Sequence, residues 1–162
     1  MKNSLSLEYA LHSLVFLSLV PRGKTLTIKQ LAHLLGVTPT YLAKVFTQLT
    51  KASLVNSTVG SKGGVHLARP AEEISFYDVF LAINGRSHMF QCAGIRTKGK
   101  GYVPVPGMCE VHMTMWEAEE KMYEHLRGKT VAEMADVAIK RFQIEDEEVR
   151  LKAIEQLLGS PL

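Results

Sequence analysis

The 162-residue chain carries 19 Lys and Arg residues against 16 Asp and Glu residues, and 46% of its residues are hydrophobic. This size and composition are typical of one compact domain and exclude a large multidomain enzyme. Its two cysteines, Cys92 and Cys109, are too few for the disulfide framework of a small secreted fold or for a four-cysteine metal site within one chain. The apolar stretch 14–20 is too short to span a bilayer and no cleavable signal precedes it, so we expect a cytoplasmic protein without membrane association.

The formal net charge of +3 is unevenly distributed along the chain. Residues 1–70 hold eight basic side chains and one acidic side chain, Glu8, which gives +7; residues 71–162 hold eleven basic and fifteen acidic side chains, which gives −4. A basic segment favours a polyanionic partner, because each neutralised phosphate releases condensed counterions. A solvated basic face without any partner would show the same charge.

The first half of the chain has the pattern of three helices. Leu5 to Val20 is apolar almost all round, which predicts a buried helix. Ile28 to Leu35 has apolar residues at helical spacing and stops at Gly36, and a third helix is predicted from Pro39 to about Lys51. Two short helices joined by a tight turn that contains glycine predict a helix-turn-helix unit.

A predicted hairpin follows these helices directly. Leu54 to Val59 and Val65 to Arg69 are typical of two short strands around a glycine-rich turn with Lys62 at its tip. This order of elements predicts a winged helix, with the third helix in the DNA major groove and the wing along the backbone or minor groove. Any one polar residue here would equally suit a solvated surface, but the set favours DNA contacts. The candidates are Lys29, Thr38, Thr40, Tyr41, Lys44, Gln48, Lys51, Ser57, Ser61, Lys62 and Gly63.

The second half is predicted to be helical apart from one loop, so the fold class is mainly α. Helices are expected at Phe76 to Asn84, Glu110 to about Arg127, Thr130 to Phe142 and Glu147 to Leu158. Residues 93–108 are rich in glycine, proline and basic residues, which predicts a mobile loop bracketed by the two cysteines. The long helix has an apolar stripe and an acidic face, and spacing alone does not decide whether the stripe packs on its own chain or on another.

The motifs of the predicted winged helix resemble a known family. Thr38-Pro-Thr-Tyr-Leu-Ala-Lys44, Leu54-Val-Asn-Ser57, the glycines at 60, 63 and 64, and Leu67-Ala-Arg-Pro70 are similar to the signature of the Rrf-two family of bacterial transcription regulators. That family includes the iron–sulfur cluster regulator and the nitrite-sensitive repressor. The resemblance implies a homodimer on a pseudo-palindromic double-stranded DNA operator, often as a repressor.

The resemblance also implies a division of the chain. Residues 1–85 would form the winged helix-turn-helix DNA-binding domain, and residues 86–110 would form a cysteine-containing sensor loop. Residues 111–162 would supply the dimerisation helix, which pairs with its twin, and the C-terminal helices.

The family's sensor loop implies an iron–sulfur hypothesis for this chain. Members with clusters commonly use three cysteines there, whereas this chain has only Cys92 and Cys109. Glu8 and His12 are spaced i, i+4 on one face of the first helix, and in the family this helix lies near the partner's loop and can supply a ligand. Glu8 and His12 of one chain would then complete a 2Fe–2S site with Cys92 and Cys109 of the other, with His112 as a substitute ligand.

Other readings of these residues stay open. The Cys109-x-x-His112 spacing also fits zinc, and Cys92 and Cys109 could act as a cofactor-free thiol switch, with His88 nearby to favour the thiolate. Glu8 and His12 could simply satisfy each other, and Cys92 could be a buried small hydrophobe. An enzyme is disfavoured, since no phosphate loop, nucleophile–base–orienter triad or glycine fingerprint is present.

Overall fold

The computed structural model describes residues 5–21, 23–58, 60, 63–86, 88–101 and 107–162. Within these ranges the chain forms seven α-helices and one two-stranded antiparallel sheet. None of these helices is long and apolar enough to cross a membrane. The helices are α1 (Leu5–Leu19), α2 (Ile28–Leu34), α3 (Pro39–Lys51), α4 (Phe76–Asn84), α5 (Glu110–Arg127), α6 (Val131–Phe142) and α7 (Glu147–Leu158), the strands are β1 (Val55–Thr58) and β2 (Gly64–Leu67), and short 3-10 helices lie at Ala71–Glu73 and Ile95–Lys98.

Side-chain caps fix where α2, α3 and α4 begin. Thr27 forms a capping box with Gln30 at the start of α2, and Ser75 forms one with Asp78 at the start of α4. The Thr38 hydroxyl accepts the backbone N–H of Tyr41 and is followed by proline at the first position of α3. Each cap satisfies backbone donors that a helix start otherwise leaves without partners, which is why these boundaries match the sequence prediction closely.

The core is built around α1, which packs against α3, α4, α6 and β2. Its buried face carries Ala10, Leu14 and Leu17, and Leu14 is fully inaccessible to solvent. The same buried cluster contains side chains from the hairpin and from elements on both sides of it. They include Leu42, Val45, Leu49, Val65, Val79 and Val131.

The prediction that α1 is buried all round is wrong for one of its faces. Leu5 is 62% exposed, and Glu8 and His12 are exposed as well. This face forms one wall of an open, mainly apolar groove whose other walls are α4, α6 and α7. We call it the α1 groove; its lining includes Glu8, His12, Phe80, Val137, Phe142 and Leu157. The sequence pattern could not show this, because an apolar residue on an open groove and one in a core look alike.

The apolar stripe predicted on α5 is only partly covered within the chain, since Met115 and Met122 are half-buried whereas Val111 is exposed. Val111 is 60% exposed, and the buried residues of α5 are Glu119 and Tyr123. The helix contacts α4 through this Glu119 side, which leaves Met113 and Trp116 exposed as well. The predicted acidic face is therefore interrupted, because one of its carboxylates lies in the interior.

The loop between α4 and α5 is described only in part. Residues 88–101 include the 3-10 helix at Ile95–Lys98, a local turn that the glycine-rich composition did not predict. Residues 102–106 lie outside the described residues. The mobility of this loop therefore stays a prediction.

The central position of α1 predicts a large loss of stability from truncation of its buried face. Leu14→Ala should lower the free energy of unfolding by roughly 2–5 kcal/mol, because it removes apolar contacts and leaves a cavity. The exposed Val149→Ala should change it by less than about 0.5 kcal/mol. Denaturant unfolding followed by circular dichroism measures both, and equal losses would contradict the assignment of the core to α1.

Candidate nucleic-acid interface and metal-ligating residues

Helices α2 and α3 form a helix-turn-helix with one face of α3 turned outward. The turn contains Gly36 at a φ of +63°, and the backbone N–H of Val37 donates to the carbonyl of Ala32 at 3.0 Å. The buried face of α3 consists of Leu42, Val45, Phe46 and Leu49. Most of the other positions are exposed, as the helical period requires; they include Thr40, Lys44, Thr47, Gln48 and Lys51.

Most of the predicted DNA-contact residues lie on the surface. Ser61 and Lys62 fall outside the described residues, and Gly63 is half-buried. Gln48 donates a long hydrogen bond of 3.4 Å from its Nε2 to the carbonyl of Ile83, which directs its amide toward the end of α4. The exposed candidates are Lys29, Thr38, Thr40, Lys44, Gln48, Lys51 and Ser57.

Tyr41 differs from its neighbours because it faces α1. Its hydroxyl lies 2.7 Å from Oγ of Ser6, and its ring meets the ring of Tyr9 edge to face, with centroids 5.6 Å apart. The side chain is half-buried by these contacts. Tyr41 is therefore a link between α3 and α1 and is less open to DNA than Thr40 or Lys44.

The wing is held against the segment that leads into α2. The backbone N–H of Val65 donates to the carbonyl of Leu26 at 2.8 Å, in a bridge beside the β1–β2 pair. A Cβ atom on Gly64 would lie 2.7 Å from Oγ1 of Thr25, and one on Gly63 would lie 2.4 Å from the carbonyl oxygen of Thr58. Both positions need glycine because neighbouring atoms approach too closely for any side chain.

Two exposed basic residues of the first half are engaged by other parts of the chain. Arg69 forms a salt bridge of 2.9 Å with Asp78 of α4 at the base of the wing, and the Lys24 ammonium donates to the carbonyl of Leu162. Lys29, Lys44 and Lys51 stay exposed on α2 and α3. Among the described basic residues of the first half, the helix-turn-helix therefore carries three exposed lysines.

The predicted metal ligands lie on three separate parts of the chain. Glu8 and His12 are exposed in the α1 groove, Cys92 is exposed in the segment after α4, and Cys109 is half-buried immediately before α5. The substitute ligand His112 is half-buried, with its ring centroid 5.8 Å from that of Phe90. Within the described ranges, no three His, Cys, Asp or Glu side chains are placed to hold a metal ion. A single chain does not assemble the four ligands.

A buried carboxylate on α5 was missed by the sequence reasoning. Glu119 is only 2% exposed, and its Oε1 accepts a hydrogen bond from the hydroxyl of Tyr123. Its Oε2 accepts the backbone N–H of Met89 at 3.2 Å and lies 3.4 Å from Nδ1 of His88. His88 therefore faces Glu119. The spacing of Glu119 and Tyr123, four residues apart on one helix, was the only sequence signal for this cluster.

The environment of Glu119 favours its charged form. Burial by itself would raise the pKa of the carboxyl, but the hydrogen bonds from Tyr123 and Met89 and the proximity of His88 outweigh it, so the pKa of Glu119 is lowered. Burial and the adjacent carboxylate raise the pKa of Tyr123. The lowered pKa of Glu119 contributes stability that is present at neutral pH and is lost as the pH falls through that pKa.

Comparison with known proteins identifies the family. A family model described as Rrf2, iron-dependent transcriptional regulator, matches residues 4–137. The chain belongs to the Rrf2 family. YffB of Lactococcus lactis, named as an HTH-type transcriptional regulator, is 34% identical over 137 residues, which cover 84% of this chain and 88% of YffB. YwgB of Bacillus subtilis, named in the same way, is 30% identical over 148 residues, which cover 90% of this chain and 91% of YwgB.

Solved structures show the same fold. CymR of B. subtilis, titled the global cysteine regulator of that organism, has a TM-score of 0.68 at 19% identity, covering 85% of this chain and 98% of CymR. IscR of T. potens has a TM-score of 0.65 at 24% identity, covering 85% of this chain and 88% of IscR. The predicted winged helix and the resemblance to the Rrf-two family are confirmed. The Rrf2 protein is a DNA-binding transcription regulator, as its relatives are, and those relatives are not enzymes.

The exposed face of α3 predicts a specific change in salt dependence. Lys44→Ala should weaken binding to promoter DNA and reduce the slope of log affinity against log salt by about one, because one phosphate contact is lost. Lys152→Ala removes a lysine from an exposed ion pair on α7 and should leave the slope unchanged. Fluorescence anisotropy at several salt concentrations measures both, and equal slopes for wild type and Lys44→Ala would exclude a phosphate contact.

Proposed function

We propose that this Rrf2 protein is a homodimeric repressor that senses redox or iron–sulfur status through a 2Fe–2S cluster shared between subunits. Glu8 and His12 of one subunit and Cys92 and Cys109 of the other would hold the cluster. One observation carries this proposal. Two potential ligands lie together on the exposed face of α1, while the two thiols lie on the segment and helix that follow α4.

Exposed apolar surface supports the homodimer. Val137, Phe142 and Leu157 in the α1 groove are 57%, 68% and 60% exposed, and Val111 and Trp116 on α5 are 60% and 45% exposed. Apolar surfaces of this kind mark association sites, and in a two-fold dimer α5 can pair with its twin while its first turn lies against the α1 groove of the other subunit. Since Val111 is two residues after Cys109, this arrangement would bring Cys109 toward Glu8 and His12 of the other subunit.

The donor set fits a 2Fe–2S cluster chemically. Two thiolates, one imidazole and one carboxylate give the four ligands that two irons require, and nitrogen ligation raises the potential relative to four thiolates. Both cysteines are free, and the side chain of Cys109 makes no capping hydrogen bond at the start of α5. When bound, the cluster would supply one-electron redox chemistry.

The helix that carries Glu8 and His12 also contacts α3, the second helix of the helix-turn-helix. Tyr9 follows Glu8 directly, and its ring packs on Tyr41 of α3, whose hydroxyl lies 2.7 Å from Oγ of Ser6. A change of ligation at Glu8 or His12 would therefore act on a helix that is already in contact with α3. We propose that this contact transmits the state of the sensor to the DNA-binding surface.

A mixed dimer tests whether the site is shared. Protein purified without oxygen should contain iron and absorb visible light, and His12→Ala and Cys92→Ala should each lose both properties. A heterodimer of these two variants, isolated with two affinity tags, should regain about half the iron of the wild type. One of its two sites then has all four ligands, because an intact α1 faces an intact pair of cysteines.

The matched control pairs Glu8→Ala with His12→Ala, since both alter the same side of the site. That heterodimer has no complete site and should contain no iron. If the wild type holds iron but both heterodimers lack it, the four ligands would lie within one subunit. Wild-type protein that is colourless and free of iron would contradict the cluster.

The exposure of Cys92 favours a second candidate, a cofactor-free thiol switch that uses Cys92 and Cys109. An exposed free thiol is open to oxidants, which a buried cysteine is not. This switch would need no iron and no ligand from α1.

Peroxide treatment separates the two candidates. If the thiol switch operates, peroxide should release operator DNA from iron-free wild-type protein but not from Cys92→Ser, and His12→Ala should respond as the wild type does. Electrophoretic mobility shift measures the bound fraction. Release from Cys92→Ser to the same extent as from the wild type would exclude the switch.

A further inference from the structure

The geometry points to Glu119 as a positioning residue that holds the Cys92-bearing segment on α5, the helix that begins after Cys109. This inference rests on the proposed function, because it assigns Glu119 to the sensor that those cysteines form. Glu119 lies on α5, ten residues after Cys109, which precedes the helix, and Met89, which donates to it, lies three residues before Cys92. One carboxylate therefore connects the chain segments on which both thiols are carried.

The contacts of Glu119 join two separate segments of chain. On its own helix it accepts the hydroxyl of Tyr123, and from the segment after α4 it accepts the backbone N–H of Met89 at 3.2 Å. Nδ1 of His88 lies 3.4 Å from the same oxygen that Met89 reaches. A buried carboxylate that loses its donors is strongly destabilised, so these contacts hold the segment at a fixed distance from α5.

Aromatic packing fixes Tyr123, the residue of α5 that donates to Glu119. We call Glu119 and its contacts with Tyr123, Met89 and His88 the Glu119 anchor. The ring centroid of Tyr123 lies 5.2 Å from that of Tyr77 and 5.6 Å from that of Phe80, both on α4. The guanidinium of Arg127 lies 4.2 Å above the Tyr77 ring. Because Phe80 also lines the α1 groove, the anchor is continuous with the surface that carries Glu8 and His12.

A second contact, nearer the cysteines, also joins the segment after α4 to α5. The ring of Phe90 packs against His112 in the first turn of α5, with centroids 5.8 Å apart. This contact is exposed to more solvent than the Glu119 cluster and contains no buried charge. We therefore assign the positioning to Glu119 and treat the Phe90 contact as secondary.

Hydrogen exchange of the full-length reduced protein after iron removal tests the anchor without any cofactor. Glu119→Ala should accelerate exchange of the backbone N–H of Met89, and of peptides that cover residues 88–94, by about tenfold or more, the effect of losing a hydrogen bond to a charged group. Tyr123→Phe is the matched control, since it removes one donor but keeps the bond to Met89. Its exchange at residues 88–94 should stay within about threefold of the wild type, a change well below that expected for a lost bond.

Glu119→Gln keeps the size of the side chain and one acceptor oxygen, and guards against a Glu119→Ala protein that does not fold. Its exchange should lie between wild type and Glu119→Ala, with the core amides of α1 and α3 protected as in the wild type. Unchanged exchange at residues 88–94 in both Glu119 variants would overturn the inference. So would acceleration spread evenly over the whole chain, which indicates a general loss of stability.

The link to the sensor is measured on protein purified without oxygen. Glu119→Gln should lose visible absorbance in air several-fold faster than the wild type, and Tyr123→Phe should not. Faster exchange together with an unchanged rate of cluster loss would overturn the sensor role of Glu119. Wild-type protein without iron would instead contradict the proposed cluster, and the exchange experiment would still decide whether Glu119 anchors the segment.

Discussion

The burial of one face of α1 is the constraint on which the rest of the structure depends. Leu14 and its neighbours on that face are enclosed by α3, α4, α6 and β2, so one helix contacts both the DNA-binding unit and the C-terminal helices. The burial of a large aliphatic side chain contributes roughly 1.5–3 kcal/mol, and α1 supplies several such residues. With that face fixed in the core, Glu8 and His12 must lie on the opposite, open side. The same packing that stabilises the domain therefore exposes the ligands of the proposed sensor.

Two polar connections then link this part of the fold to the elements of the proposed function, which are α3 and the segment that carries Cys92. The hydroxyl and ring of Tyr41 join α3 to Ser6 and Tyr9 on α1. The carboxylate of Glu119 joins α5 to the segment that follows α4. Both use directional interactions, which hold one geometry more strictly than apolar contact does. The arrangement gives the proposed sensor a physical route to DNA, from the ligands on α1 to α3, the helix that is predicted to enter the major groove. Apolar surface on α5 and in the α1 groove provides the place where a second subunit would complete the ligand set.

Several elements could be predicted closely from the sequence because their signals are local. The bounds of α4, α5 and α7 agree with the prediction, since Ser75, Cys109 and Asp146 precede clear helical runs and glycine follows each of them. The hairpin was predicted from its glycines, and the structure explains two of them by close approach to Thr25 and Thr58. The predictions were wrong where they depended on which other elements cover a helix face. The predicted burial of α1 was wrong on its groove side, and the packed face of α5 holds an acid, Glu119, whose burial helical spacing did not predict.

The sequence by itself determined the winged-helix order, the charge division between the two halves, the family and the residue types available as ligands. Each depends on local spacing, on composition or on a motif that lies along the chain. Only the tertiary structure decided that Tyr41 faces α1, that Arg69 is paired with Asp78, and that Glu119 is buried beneath the segment carrying Cys92. These contacts join residues far apart in sequence or depend on which face of a helix is covered. Their geometry is fixed by packing between elements, which helical period and composition do not encode.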